Sequence, residues 1–197
     1  MNGREKYEAI VLGASAGGMK VTRDLVTALP KDFSMPIIIV QHIGGTSDGV
    51  WAELLNDKSA VHVKEADEKE KLTPGAVYLA PANYHLLVEP DHTLTLTVDE
   101  RVNYARPSID VLFETAAEAY GDKLIGVVCT GANFDGAKGL AYIKEKGGLT
   151  IVQDPETAES PPMPKAAIEA TTPDHVLSME NIIEFLLKIH HTQFKRP

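Results

Sequence analysis

The sequence predicts an α/β fold: a mainly parallel sheet flanked by helices, with an antiparallel hairpin inserted. Three observations carry this prediction. Short apolar runs rich in β-branched residues recur along the chain, the pattern of strands buried on both faces. Stretches of helical periodicity separate them. One segment alternates apolar residues with threonines beyond a Glu89-Pro90-Asp91 turn, as a hairpin does.

The predicted strands are Tyr7–Leu12, Pro36–Gln41, Ala76–Ala80, Leu124–Cys129, Leu149–Val152 and His175–Leu177. The first helix, Gly18–Ala28, places Val21, Leu25 and Val26 on one face and stops at Leu29-Pro30. A second covers Asp48–Leu55. Ser108–Tyr120 is the third, with Ile109, Leu112, Phe113, Ala116 and Ala117 forming its apolar stripe and Gly121 just beyond its end. Ala137–Lys146, Lys165–Ala170 and Asn181–Ile189 complete the helices. Ala76–Pro81 leads into the hairpin, built from His85–Val88 and Leu94–Val98. No linker, low-complexity tract or repeat marks a boundary, so residues 1–197 are expected to form one domain, with 190–197 a loose tail.

Composition narrows the function classes. A chain of 197 residues, 44% hydrophobic, can bury roughly 70% of its unfolded surface and needs no metal or disulfide staple. The single cysteine, Cys129, has no internal partner, so a reducing cytoplasmic setting is expected. Nineteen basic against 28 acidic residues give a net charge of −9, the wrong sign for nucleic acid or an anionic membrane surface. No stretch approaches the ~20 apolar residues that span a bilayer, so no membrane insertion is expected.

Parallel α/β sheets place their sites beyond the carboxyl ends of the strands. Three such ends carry reactive residue types: Gly13-Ala14-Ser15-Ala16-Gly17-Gly18, Gln41-His42, and Thr130-Gly131-Ala132-Asn133-Phe134-Asp135-Gly136. A hydroxyl, an imidazole and a carboxylate are what a nucleophile, base and orienting acid require. Each alone has a plainer reading: Ser15 as a helix N-cap, His42 as a strand-end residue, Asp135 as a turn residue before Gly136. Their coincidence at neighbouring strand ends favours a serine hydrolase. The order Ser, His, Asp matches none of the usual hydrolase orders, but order does not fix geometry.

Rival readings of the glycine loop fare worse. A phosphate-binding P-loop needs Gly-Lys-Ser/Thr, whereas Gly18 is followed by Met19-Lys20-Val21. The loop runs G-x-x-x-G-G rather than G-x-G-x-x-G, loosely like that of short-chain dehydrogenases, and Tyr142 and Lys146 supply the Y-x-x-x-K pair such NAD(P)-dependent enzymes use. No acidic residue follows the second strand to hold a ribose, and Tyr142 also fits the apolar face of its helix. The other histidines, His62, His85, His92, His175, His190 and His191, lack paired ligand spacing, so no metal and no cofactor is expected.

Taken together, the loops resemble those of the CheB-type protein-glutamate methylesterase catalytic domains. The matching stretches are Gly13–Gly18, Gln41-His42, Leu72-x-Pro74-Gly75 with Tyr78-Leu79-Ala80-Pro81, Arg106–Phe113, Thr130-Gly131 through Ala137, and Gln153-Asp154 through Met163-Pro164. They follow in family order from Val11 to about Ala170. The resemblance implies a doubly wound sheet and a triad of nucleophile Ser15, base His42 and orienting acid Asp135. It also implies hydrolysis of glutamate γ-methyl esters on the cytoplasmic helices of chemoreceptors, with glutamine deamidation as a related activity. The backbone amides of Ala16 and Ala132 are the oxyanion candidates, and Arg106 is a candidate substrate contact.

Departures from the family pattern fall in the same loops. Many members have Thr at the position of Ala16, and Met-Gly followed by a polar residue at Ala132-Asn133-Phe134. Asn133 is expected to keep the loop's shape by adopting positive φ, and Phe134 to place an apolar surface at the mouth. Typical members also carry a phosphoacceptor receiver domain. Here the first strand begins after six residues, so control is expected to be absent or to come from a separate response regulator. The contrasting expectation from a different class is a non-catalytic docking module on the same fold.

Overall fold

The structure, a computed structural model, describes residues 7–42 and 49–194. Seven parallel strands form the main sheet: β1 (Ala9–Ala14), β2 (Ile37–Gln41), β3 (His62–Glu65), β4 (Ala76–Leu79), β7 (Leu124–Val128), β8 (Leu149–Gln153) and β9 (His175–Leu177). Their order across the sheet is β3-β4-β2-β1-β7-β8-β9. Strands β5 (His85–Val88) and β6 (Leu94–Thr97) pair antiparallel as a separate hairpin. The expected α/β fold with an inserted hairpin is the one observed. Ala76–Leu79, which leads into that hairpin, belongs to the parallel sheet, paired to β2 and β3.

Helices cover both faces because the strands alternate their apolar side chains between them. On one face Val11, Ile38 and Val40 pack against Ile109, Leu112 and Phe113 of α3 (Ile109–Tyr120), Leu140 and Ile143 of α4 (Ala137–Glu145), and Met163 of α5 (Pro162–Ala170). On the other, Ile10, Leu12, Ile37 and Ile39 meet Val21 and Leu25 of α1 (Gly18–Ala28), Leu55 of α2 (Val50–Asn56), and Ile182 and Leu186 of α6 (Met179–Phe194). Each of these side chains contributes about 1.5–3 kcal/mol on burial, which makes the strand ends a rigid platform. The hairpin adds Leu86, Val88 and Leu94 to the α3 face.

Three sequence expectations need correction. Strand β3 is absent from the predicted strands: it is a short edge strand in which only Val63 is buried, and His62, Lys64 and Glu65 mask its signal. Helix α5 begins at Pro162 rather than Lys165, since proline is tolerated in a helix's first turn. Residues 190–194 are not a loose tail but the end of α6. His190 is 3% exposed and accepts the Ser34 N–H at Nδ1, 3.2 Å away. Helix α2 starts at Val50; the expected start at Asp48 and residues 195–197 lie outside the described residues.

Candidate active site

Strands β1 and β7 are neighbours at the centre of the sheet, with β2 on the other side of β1. The chain winds outward from β1 in one direction first and returns to β7 later, so a crevice opens at their carboxyl ends. All three predicted loops converge there. The register pairs Ala14 with Gln41 and Gly13 with Val128, which sets Ser15, His42 and the Thr130–Gly136 loop side by side.

The Ser15 loop is held by its backbone oxygens. Ser15 O accepts from Gln41 Nε2 (2.8 Å) and from Gly18 N (2.8 Å), while Ala16 O accepts from Thr130 Oγ1 (2.9 Å). Ser15 N donates to Thr130 O at 2.9 Å. The amides of Ala16 and Ala132 make no hydrogen bond with another described residue, and both residues are exposed. Ser15 is half-buried and is not the N-cap of α1: that position is Gly17, whose φ of 77° suits glycine. The close approach of β7's loop requires Gly131, where a Cβ would lie 2.9 Å from Ser15 Cβ and overlap Met163 Sδ.

His42 and Asp135 are joined directly. His42 Nε2 lies 2.9 Å from Asp135 Oδ2; the carboxylate is fully buried and the imidazole retains 14% exposure. Asp135 receives further donors from the start of α3. Ile109 N reaches Oδ2 at 2.6 Å, while Ser108 Oγ (2.8 Å), Asn103 Nδ2 (2.8 Å) and Asp110 N (3.2 Å) reach Oδ1. Burial pushes this carboxyl's pKa up, but the hydrogen bonds from His42, Asn103 and Ile109 outweigh it and hold the group below the usual carboxylate range.

Asp110 behaves in the opposite sense. It accepts Gly139 N at 2.7 Å and Asn103 Nδ2 at 2.7 Å, yet burial and the nearby Asp135 charge raise its pKa above the ordinary value. One amide group, Asn103 Nδ2, thus donates to both carboxylates. Asn103 sits at φ 51° beside Tyr104 at φ 63°, between the bridged residues Val102 and Ala105. Two successive positive φ angles are those of a type I′ turn, which asparagine tolerates.

The hairpin fixes this arrangement from behind. Buried His85 on β5 accepts the Ser108 N–H at Nδ1 (3.2 Å) and contacts Glu100 O through Nε2 (3.0 Å). Sequence alone does not mark Asn103, Ser108 or His85 as site residues. The asparagine before an exposed tyrosine was the available turn signal.

Other expectations resolve differently. Asn133 does not take positive φ; it acts through its side chain, accepting Asp135 N at Oδ1 (3.0 Å) and placing Nδ2 3.2 Å from His42 Nδ1. That is an Asx turn, which shapes the loop without a left-handed conformation at position 133. Phe134 is 55% exposed, an apolar side chain beside the site as anticipated. Arg106 donates Nη1 to the carbonyls of Val98 (2.6 Å) and Asp99 (2.9 Å), which ties it to the segment between β6 and α3. Tyr142 lies on α4 and Lys146 caps its C-terminal end, both engaged by Glu118 of α3, with Lys146 Nζ 3.0 Å from its carboxylate. That commitment leaves the dehydrogenase pair away from the strand-end crevice. Among the described residues, no group of three or more His, Cys, Asp and Glu is placed to hold a metal ion, and no helix is long and apolar enough to cross a membrane.

Comparison with known proteins agrees with the fold. Residues 10–186 match the family model for CheB methylesterase. A Leptospira interrogans relative, described as a putative protein-glutamate methylesterase/protein-glutamine glutaminase, is 55% identical over 96% of this chain and 98% of its own length. A Clostridium acetobutylicum protein-glutamate methylesterase/protein-glutamine glutaminase is 37% identical over 94% of this chain, which spans 54% of that relative. The Thermotoga maritima CheB methylesterase catalytic domain superposes with a TM-score of 0.88 at 35% identity, covering 93% of this chain and 99% of that one. The chain therefore belongs to the CheB methylesterase family, the protein-glutamate methylesterases.

Proposed function

We propose that the chain hydrolyses glutamate γ-methyl esters on the cytoplasmic helices of chemoreceptors, with Ser15 as nucleophile, His42 as base and Asp135 as orienting acid. The observation that carries this reading is the buried 2.9 Å contact of His42 Nε2 with Asp135 Oδ2, set beside Ser15 by the β1–β2 register. Because Nε2 is committed to Asp135, Nδ1 is the nitrogen left to take a proton.

In this mechanism Ser15 Oγ adds to the ester carbonyl carbon while its proton passes to His42 Nδ1. The oxyanion is met by the amides of Ala16 and Ala132, which have no other described partner. Collapse breaks the C–O bond, and the proton on His42 leaves with the methoxide as methanol. Water, activated by the same imidazole, then cleaves the acyl-enzyme to the free glutamate side chain and restores Ser15. With a glutamine side chain the same sequence releases ammonia, in keeping with the double names of the relatives.

A serine-directed fluorophosphonate tests the reading against a non-catalytic docking module. Mass spectrometry is expected to place a single adduct on Ser15, absent after His42→Ala. An unlabelled Ser15 would favour the docking module.

A further inference from the structure

The base nitrogen of His42 is already occupied in the resting site. Asn133 Oδ1 accepts the Asp135 N–H at 3.0 Å, and a backbone amide can only donate, so the side-chain orientation of Asn133 is fixed. Its Nδ2 therefore faces His42 Nδ1 at 3.2 Å. An NH₂ group can only donate as well, so Nδ1 is bare and accepts, and the imidazole proton sits on Nε2, donated to Asp135 Oδ2. Each ring nitrogen thus has one partner, and the tautomer is set from both sides.

We infer that Asn133 is a positioning residue that caps the base nitrogen of His42, withholding it from Ser15 until the amide is displaced. This rests on the proposed roles of Ser15 and His42. Bare Nδ1 has a single in-plane lone pair, so the Asn133 amide and the Ser15 hydroxyl compete for it. Once His42 has taken the serine proton, Nδ1–H would face another donor, and the Asn133 amide must swing away. The cap orders the resting imidazole and slows the step that uses it. Glycine, the residue the family resemblance places here, has no side chain to make such a contact.

The test compares wild type, Asn133→Ser and Asn133→Asp in their rate of reaction with a small fluorophosphonate. In that reaction Ser15 Oγ forms a P–O bond, fluoride leaves, and the proton passes through His42. Serine is too short to reach Nδ1 but its hydroxyl can still accept Asp135 N, so the turn is kept and the cap is lost. Its labelling rate is expected to rise about threefold to tenfold, the worth of one net hydrogen bond. A carboxylate at 133 instead favours a proton on Nδ1, and labelling is expected to fall at least about tenfold. A merely structural Asn133 would slow both variants, and that result overturns the inference.

Nitrogen-15 NMR of the imidazole gives a readout independent of turnover. The wild type is expected to show a bare, hydrogen-bonded Nδ1 and a protonated Nε2, with the Nδ1 signal moving toward its non-bonded position in Asn133→Ser. A proton on Nδ1 in the wild type, or an unmoved signal, contradicts the cap. If no variant labels at Ser15, the esterase reading fails, and the nitrogen spectrum then decides the Asn133 contact by itself.

Discussion

The Asp135 carboxylate accepts the backbone N–H of Ile109 at 2.6 Å on the same oxygen that holds His42, so the group that orients the imidazole is also the N-terminal cap of α3. An anion at this helix end answers free amides and the positive end of the dipole together. The cap of α3 and the contact on which the proposed triad rests therefore share one side chain.

Replacing it should cost both. Asp135→Ala strands the amides of Ile109 and Asp110 and the side chains of Ser108 and Asn103, and is expected to destabilise the protein by about 2–4 kcal/mol in urea unfolding. Asp135→Asn retains volume but mismatches the donors, and ester hydrolysis is expected to drop by about 10³–10⁴. Activity near wild type in Asp135→Asn would contradict its role.

The pKa values of the two buried carboxyls are shifted in opposite directions. Because the pKa of Asp135 is depressed in the folded state, its stabilising contribution is complete above the unfolded value of about 3.9 and disappears as pH falls through the lower folded value. Asp110, raised by burial and by Asp135, binds its proton more tightly when folded, so its contribution is complete below the unfolded value and is lost as pH rises through the higher folded value. Carboxyl carbon-13 NMR is expected to show Asp110 still protonated at a pH where Asp135 is ionised. The reverse order would refute the assignment of donors.

Asn103 links these carboxylates through a single amide and sits at φ 51°. Asn103→Gly keeps the backbone unstrained and loses only the bridge; a tenfold reduction in ester turnover and about 1–2 kcal/mol of stability are expected. Asn103→Ala adds about 1 kcal/mol of left-handed strain. Equal unfolding midpoints for the two variants would show that the turn geometry carries no cost.

At Gly131 the constraint is space. The added methyl of Gly131→Ala would press on Ser15 Cβ from 2.9 Å and on the Met163 side chain. Met163 can yield, whereas the Ser15 backbone is tied to Thr130 and Gln41. The variant is expected to remain folded, lose about 1–3 kcal/mol, and hydrolyse ester at least 10²-fold more slowly. Unchanged turnover would place the nucleophile elsewhere.

The sequence makes the sheet legible because central strands are long apolar runs, whereas β3 escapes: an edge strand needs only Val63 inside. The end of α6 escapes for a related reason, since a histidine pair suggests solvent while His190 is in fact buried against Phe33, ring centroids 5.2 Å apart. Ser15, His42 and Asp135 are visible because each sits at a strand end whose apolar run announces it. Their supporting partners are not, because Asn103 and Ser108 lie 32 and 27 residues from Asp135 in the chain and meet it only through the packing of α3 and the hairpin. Asn133 was legible as a loop-former, but its amide had two targets, His42 and Asp135 N, that only the folded loop brings within reach.

Methanol release from a γ-methyl-esterified chemoreceptor helix fragment, compared between wild type and Ser15→Ala, tests the central claim most directly. Wild type is expected to release methanol in proportion to the esters present, and Ser15→Ala to release none above the uncatalysed rate while unfolding at the wild-type midpoint. Sustained release by folded Ser15→Ala would contradict it.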